Sequence, residues 1–426
     1  MFSFSSSFMF DFELTRILGS ASSGGCDVGE FKSAVGKIKK HDAESWHAAW
    51  KEQGERAERI GDDAAKAGFK VPARNAYLRA SNYFRTASYM FDNDDARVIP
   101  FAERSISNFR RATTLMDGEV VFVEIPYENG LRLPGYLCLP PPNARLPNQK
   151  TPVVLYAGGA DSTKEELYFL FGHTGPQLGY AVLCFEGPGQ GLLLKRSKVP
   201  LRPDFEVCAG IAMDFLSNLS QKRADMDLDL GRIAVAGAAT GGYFALRAAT
   251  DARIKACISI DPFFSLWDLA LTRAPQYFVK MWDSGWVPDG TFDSFTDAHC
   301  KGNFQAGWEM GLGKSSMGVV KATAMLRRFK DFSLETEKDG KILDRITCPV
   351  FLTGPGAGQD MYASADASTF KIQKLLINVS ESQKEVWVPT DVAEGGLTAK
   401  IGAWALLAQK SFKFLDRQFE IKRKAL

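Results

Sequence analysis

Histidine is scarce in this chain: four in 426 residues, His41, His47, His173 and His299, with none beyond position 299. They have no metal-ligand spacing, so no metal centre is expected from them. No C-x-x-C pair occurs among the seven cysteines, which are scattered and odd in number. Cys138, Cys184, Cys257 and Cys348 sit in or beside apolar runs, and buried free thiols in a reducing, cytoplasmic setting are the expectation. Charge of one sign is also lacking. With 52 Lys and Arg against 50 Asp and Glu, the net charge is +2 and there is no basic run, which argues against nucleic acid as a partner. No apolar run reaches 18 residues, so no membrane span is expected. The opening MFSFSSSFMFDFELTRIL has no basic leader, carries Asp11 and Glu13 early and is followed by no A-x-A site, and it reads as an ordered arm rather than a signal peptide. What remains is ordinary globular material, 45% hydrophobic and 24% charged, with 31 Phe suggesting apolar pockets.

Four regions follow from texture. Residues 1–117 form an arm and a helical unit: 20–27 read as a loop, while Trp46 and Trp50, then Ala76, Ala80, Tyr83, Phe84, Ala87 and Phe91, then Ala102, Ile106, Phe109 and Thr113 repeat at helical spacing. Residues 118–260 begin the core, with EVVFVEIPYENGLRLPGYLCLPP as a hairpin about an Asn-Gly turn. Short apolar runs then recur between helical stretches (152–157, 181–185, 232–237, 255–260, 349–354 and 385–389), the pattern of a mostly parallel sheet covered on both faces. Residues 261–345 break that rhythm and are rich in aromatics, predicting an inserted cap. Residues 346–426 complete the core.

Ligands of open parallel sheets sit at the carboxyl ends of the strands. The strand-end segments are GGADSTKEE with Asp161, EGPGQG with Glu186, AATGGY, PGAGQD ending at Asp360, and TDVAEGGLTAK with Asp391, Glu394 and Thr398. The third has the frame of a nucleophile elbow, strand–G-x-S-x-G–helix. Here it reads Gly237-Ala238-Ala239-Thr240-Gly241-Gly242: the glycines are present and the nucleophile position holds Ala239.

Together, GGADSTKEELY, FEGPGQG, the elbow frame and VPTDVAEGG resemble the fungal α/β-hydrolase family of polyketide tailoring, which includes melanin heptaketide hydrolases and hydrolases of fusarin and cytochalasan clusters. The resemblance runs from about 118 to 426. It implies an α/β-hydrolase fold, a doubly wound, mostly parallel sheet with an N-terminal helical unit and a cap. It also puts the family nucleophile on Ala239, the family acid on Asp360, and the family histidine shortly after Glu394, where Thr398 or a neighbour stands.

With Ser and His both missing, a covalent acyl step has no reagents. Thr240 is one residue off and lacks a base. The remaining groups are acidic. Asp360, Asp161, Glu394 and Asp391 are the candidate catalytic carboxylates, one neutral and donating, another ionised and accepting. Backbone N–H groups near Gly159, Ala160 and Thr240 are the candidate oxyanion pocket, and Trp267, Phe278, Trp282 and Trp286 the candidate substrate-binding aromatics. The expected activity is epoxide opening, hydrolysis or ring formation on a hydrophobic polyketide-like molecule, similar to the epoxide-opening hydrolases of aurovertin- and citreoviridin-type pathways. No cofactor is expected, and a homodimer is allowed. Two alternatives stand beside it: an ester or carbon–carbon hydrolase whose Ser became Ala239, and a non-catalytic binder of a lipophilic ligand or partner.

Overall fold

A computed structural model describes residues 3–356 and 365–424. Asp360 lies outside the described residues. The N-terminal unit holds α1 (Phe8–Gly19), α2 (Val28–Val35), α3 (Ala43–Lys66), α4 (Lys70–Ala87) and α5 (Val98–Thr113). The opening segment, expected as an arm, is therefore helical. The Ser7 side chain caps its first turn, and Met9, Phe10, Leu14 and Ile17 bury one face. These side chains pack with Trp46, Trp50, Tyr83 and Phe84 in one cluster.

The core is an eight-stranded sheet: β1 (Val120–Pro126), β2 (Arg132–Cys138), β3 (Thr151–Ala157), β4 (Ala181–Phe185), β5 (Leu228–Ala238), β6 (Ile254–Ile260), β7 (Val350–Thr353) and β8 (Lys384–Trp387). Its order is β1-β2-β4-β3-β5-β6-β7-β8. β2 runs antiparallel to both neighbours, and the others are parallel. The β1–β2 hairpin turns through Asn129 and Gly130, both at positive φ (55° and 75°), as the Asn-Gly pair predicted. β3 and β4 are buried end to end, and β5 and β6 over their carboxyl-terminal halves, because helices cover both faces. α6 (Glu206–Lys222) and α7 (Thr240–Ala248) pack on one face, and α14 (Trp404–Gln418) on the other.

Between β6 and β7 come α8 (Leu266–Leu271), α9 (Gln276–Asp283), α10 (Asp289–Gly302), α11 (Phe304–Met317) and α12 (Ala322–Phe329). α13 (Ala365–Leu375) follows β7. Phe304 and Trp308 of α11 join the N-terminal cluster, so cap and helical unit meet over the strand ends. All seven cysteines are free thiols, and all but Cys300 are buried. Among the described residues, no helix is long and apolar enough to cross a membrane.

Candidate functional site

The chain reverses sharply where β5 meets α7. Ala239 sits at φ 53°, ψ −114°, a conformation that costs an L-residue on the order of 1–3 kcal/mol and persists only when its surroundings enforce it. Its N–H donates to Ile260 O at 2.8 Å, and its carbonyl accepts from Gly242 and Tyr243. Glycine is required on either side. A Cβ on Gly237 would stand 2.0 Å from Gly241 O, and one on Gly241 would stand 2.5 Å from Ala157 O. The elbow geometry is thus intact with a methyl group at its apex.

Two chambers meet at this apex. The first, about 460 Å³, lies beneath the cap and is lined chiefly by apolar side chains, among them Phe263, Phe278, Phe292, Met317 and Phe329. Its rim includes the exposed His299. The second, about 200 Å³, lies toward the N-terminal unit and is lined by Glu13, Arg16, Tyr89, Tyr156, Asp161 and Glu166 among others. Ala160, Ala239, Thr240 and Trp308 border both. A larger open groove, about 890 Å³, runs between α5 and the β1–β2 hairpin, but no elbow residue lines it.

Arg16, on α1, organises the second chamber. Its guanidinium lies 3.0 Å from Glu13, 2.8 Å from Asp161 and 2.5 Å from Glu166. Tyr89 also donates to Asp161 at 2.7 Å. Burial pushes Asp161 up, but the Arg16 charge, with hydrogen bonds from Arg16 and Tyr89, outweighs it and holds the carboxyl at about 2. Burial raises the Glu13 carboxyl, against the pull of Arg16 and Arg85. Two carboxyls on one guanidinium are therefore pushed in opposite directions. The Tyr89 phenol, raised by burial and by Asp161, stays a neutral donor.

Beyond the elbow lies a second buried charge pair. Lys400 Nζ is 3.0 Å from Asp261 Oδ1, both side chains are fully buried, and Nζ also donates to Gly354 O at 2.6 Å. Asp261 further accepts from Thr353 Oγ1 (2.5 Å) and Ala399 N (2.7 Å). Asp261, Ala399 and Lys400 all have positive φ, so the pair fixes an otherwise unfavourable backbone. It occupies the segment where the resemblance places a histidine.

The expected site residues separate in this geometry. Asp161 lines the second chamber. Asp391 and Glu394 are exposed and line neither chamber, and Asp391 accepts from Ala393 N at 2.7 Å as a turn cap; these two are corrected out of the cleft. Glu186 is buried and accepts from Lys164 and from Leu192 N, tying strand-end loops together. Of the proposed oxyanion groups, the Gly159 N–H is taken by Ser162 Oγ at 3.0 Å, while Ala160 and Thr240 border both chambers. Of the four aromatics, only Phe278 lines the cap chamber. Trp282 is buried, with its indole N–H on Asp289 at 2.9 Å, Trp267 packs beside it, and Trp286 is 81% exposed. His47 is buried against Phe91 and Phe101 with Nδ1 3.0 Å from Ala87 O. His173 bonds Tyr168 and Gln177. Glu13, Arg16, Tyr89, Asp261 and Lys400 were missed. Only Glu13 left a trace, as a charge interrupting an apolar opening. No group of His, Cys, Asp or Glu among the described residues could hold a metal ion.

Comparison with known proteins agrees with this architecture. The FrsA-like esterase family model matches residues 39–276. The α/β hydrolase gkaG of Penicillium citrinum is 75% identical over 425 residues, covering 100% of this chain and 99% of its own. The α/β hydrolase psoB of Aspergillus fumigatus is 45% identical, covering 98% of this chain and 94% of its own. Among solved structures, 2,6-dihydroxy-pseudo-oxynicotine hydrolase superposes with a TM-score of 0.70 at 20% identity, covering 96% of this chain and 97% of its own, a likeness of fold. With an elbow built at Ala239, a matching family model and full-length fungal relatives, the chain belongs to the FrsA-like esterase family of α/β hydrolases.

Proposed function

We propose that this hydrolase tailors a lipophilic, polyketide-like secondary metabolite, opening an epoxide or closing a ring by carboxylate acid–base catalysis without a covalent enzyme intermediate. The supporting observation is an elbow that presents Ala239 to a chamber holding two oppositely shifted carboxyls, Glu13 and Asp161. Pairs pushed apart in this way divide acid and base roles.

In this mechanism Glu13, whose carboxyl burial raises against the pull of Arg16, donates its proton to the epoxide oxygen as the C–O bond breaks. Water or an internal hydroxyl attacks the carbon, and its proton passes to the Tyr89 oxygen while the Tyr89 proton moves to Asp161. Ala160 and Thr240 border both chambers, and in this reading their backbone N–H groups polarise the epoxide oxygen as Glu13 protonates it. The cap chamber holds the apolar body of the substrate.

The test is turnover of candidate epoxy-polyenes, with product analysis in ¹⁸O-water. Glu13→Gln is expected to lower turnover on the order of 10²–10⁴-fold and to abolish the alkaline limb of the pH profile, since an amide has no proton to deliver. The sign follows from the shift: a raised carboxyl acts as an acid below its pKa, so activity falls as pH rises through it. Fluorophosphonates are expected neither to label the protein nor to slow it. An acyl adduct on Thr240, or unchanged turnover in Glu13→Gln, refutes the mechanism.

A further inference from the structure

Two narrow clefts lie between the second chamber and the open groove beside α5, and Lys195 stands in both. The inner cleft, about 30 Å³, shares Tyr89, Ala160, Asp161, Trp308 and Leu312 with the second chamber. The outer cleft, about 10 Å³, shares Ser88, Gly191 and Lys195 with the inner one, and Ile106 and Leu192 with the groove. One water molecule needs roughly 10–15 Å³ of such space, so the inner cleft holds water and the outer one is a neck one water wide. Lys195 is carried by the short helix Gly191–Ser197. It is half-buried, yet makes no hydrogen bond or ion pair to the described residues. Its Nζ is not sealed, so water reaches it. An ammonium in this position, without a protein acceptor, is held by water. The titratable and charged groups around it are Tyr89, Asp92 and Asp161 in the inner cleft and Arg85, Glu165 and Glu186 in the outer. Burial lowers its pKa, with help from Arg85 and against the pull of Glu186, Asp161 and Glu165.

We infer that the two clefts form a water passage from the outer surface to the second chamber, with Lys195 holding the water at their crossing and passing protons between that water and Asp161. Phe295 and His299, at the rim of the cap chamber, line neither cleft, so water and an apolar substrate enter by different routes. The use of the passage in turnover rests on the mechanism proposed above. There, each turnover leaves Asp161 with one proton more and Glu13 with one fewer. The Lys195 amine takes the proton from Asp161 through water and releases it into the passage, while chamber water returns one to Glu13. Each group regains its starting state, and the proton count is unchanged. Lys195 acts through Asp161 and is a positioning residue; the same passage supplies the attacking water.

A pair of amine reagents tests the passage without turnover. Cyanic acid is a short rod that adds to a neutral amine: the amine nitrogen bonds its carbon, and one proton moves to the cyanate nitrogen. On the full-length protein at pH 7.5, Lys195 is expected to carbamylate roughly threefold or more faster than the exposed Lys66, since its lowered pKa leaves more free amine. Trinitrobenzenesulfonate, too wide for the clefts, is expected to label Lys195 at least about tenfold more slowly than Lys66; peptide mass spectrometry reads both. Lys195 untouched by cyanate, or labelled by the wide reagent as readily as Lys66, overturns the passage. With the epoxide substrates, Lys195→Met is expected to lower kcat about tenfold with KM within about twofold and the circular dichroism spectrum unchanged. Methylammonium is expected to restore kcat, and Lys195→Arg, which keeps the charge but does not release a proton, is not. Unchanged kcat in Lys195→Met, or full activity in Lys195→Arg, overturns the relay. Wild-type protein that turns over no epoxide sinks the acid–base mechanism and the relay with it, while the two reagents still decide the passage.

Discussion

Arg16→Met is the most informative perturbation, because one guanidinium serves three carboxyls. Asp161 is held at about 2 against an ordinary 3.8. That difference corresponds to roughly 2–3 kcal/mol of folded-state stabilisation at neutral pH. Met keeps most of the aliphatic length but leaves Asp161 and Glu166 without their nearest cation in a largely buried site. Removing one partner of such a pair costs about 3–5 kcal/mol. The loss should be local, since α1 joins the rest through the Arg16 ion pairs and the apolar face of Phe10, Leu14 and Ile17.

Native-state hydrogen exchange reads this directly. Amides of Phe8–Gly19 should lose protection by about 10²–10⁴-fold at pH 7.5, while the central strands change little. The pH dependence carries a sign. A depressed carboxyl stabilises the fold above its unfolded pKa and loses that contribution as pH falls from about 4 toward 2. In the variant Asp161 is no longer depressed and takes up a proton at higher pH, so the gap between wild type and variant should narrow near pH 4.5. A loss of protection below tenfold, or a gap of equal size at pH 4.5 and 7.5, would refute the claim that Arg16 is the electrostatic anchor.

Three further outcomes follow from the elbow and its support. Lys400→Met should destabilise the protein by about 3–5 kcal/mol, because Asp261 is left buried without its cation; urea unfolding should show the double variant with Asp261→Asn recovering part of the loss. Gly237→Ala should cost about 3 kcal/mol or fail to fold, since its Cβ would meet Gly241 O at 2.0 Å, and soluble yield with thermal unfolding is the check. Ala239→Ser should not hydrolyse p-nitrophenyl acetate above background: the chain has no histidine beyond 299, and Lys400 is engaged with Asp261. Burst-phase acylation in that variant would show a base that the geometry does not provide.

The elbow was legible because its demand is local. A reversal between a buried strand and a helix leaves no room for Cβ at two fixed offsets, and Gly237 and Gly241 state that directly. The Asn-Gly hairpin and the alternating sheet runs are legible for the same reason. The second chamber was not. Arg16 and Asp161 are 145 residues apart, and nothing in either neighbourhood names the other. Asp161 stood out by its place after β3, but an acid that is ionised and doubly bonded looks the same in sequence as one that is free. The aromatic guesses failed on direction. A tryptophan-rich cap is legible, but Trp282 turns inward to Asp289 while Trp286, just past Gly285 at φ 85°, turns to solvent. Lys400 was hidden because a buried lysine needs a partner that only the fold supplies, here Asp261 at the end of β6.

A methyl group at the apex gives the elbow no nucleophile to position, yet Ala239 holds a strained backbone and Gly237 and Gly241 make room for it. Several polar groups of the second chamber come from outside the strand ends. Glu13 and Arg16 lie on α1, Tyr89 follows α4, and Trp308 of the cap donates its indole N–H to Tyr89 O at 2.9 Å. In the proposed mechanism the chemistry is therefore carried by residues of packed helices and the segments beside them rather than by the elbow itself. Such a site is complete only when α1 is docked, because Arg16 sets the ionisation of Asp161 and α1 itself brings Glu13. Docking of α1 and ionisation of the chamber are then one equilibrium, and a change that loosens α1 should remove Glu13, the cation that holds Asp161 ionised and one wall of the second chamber in a single step.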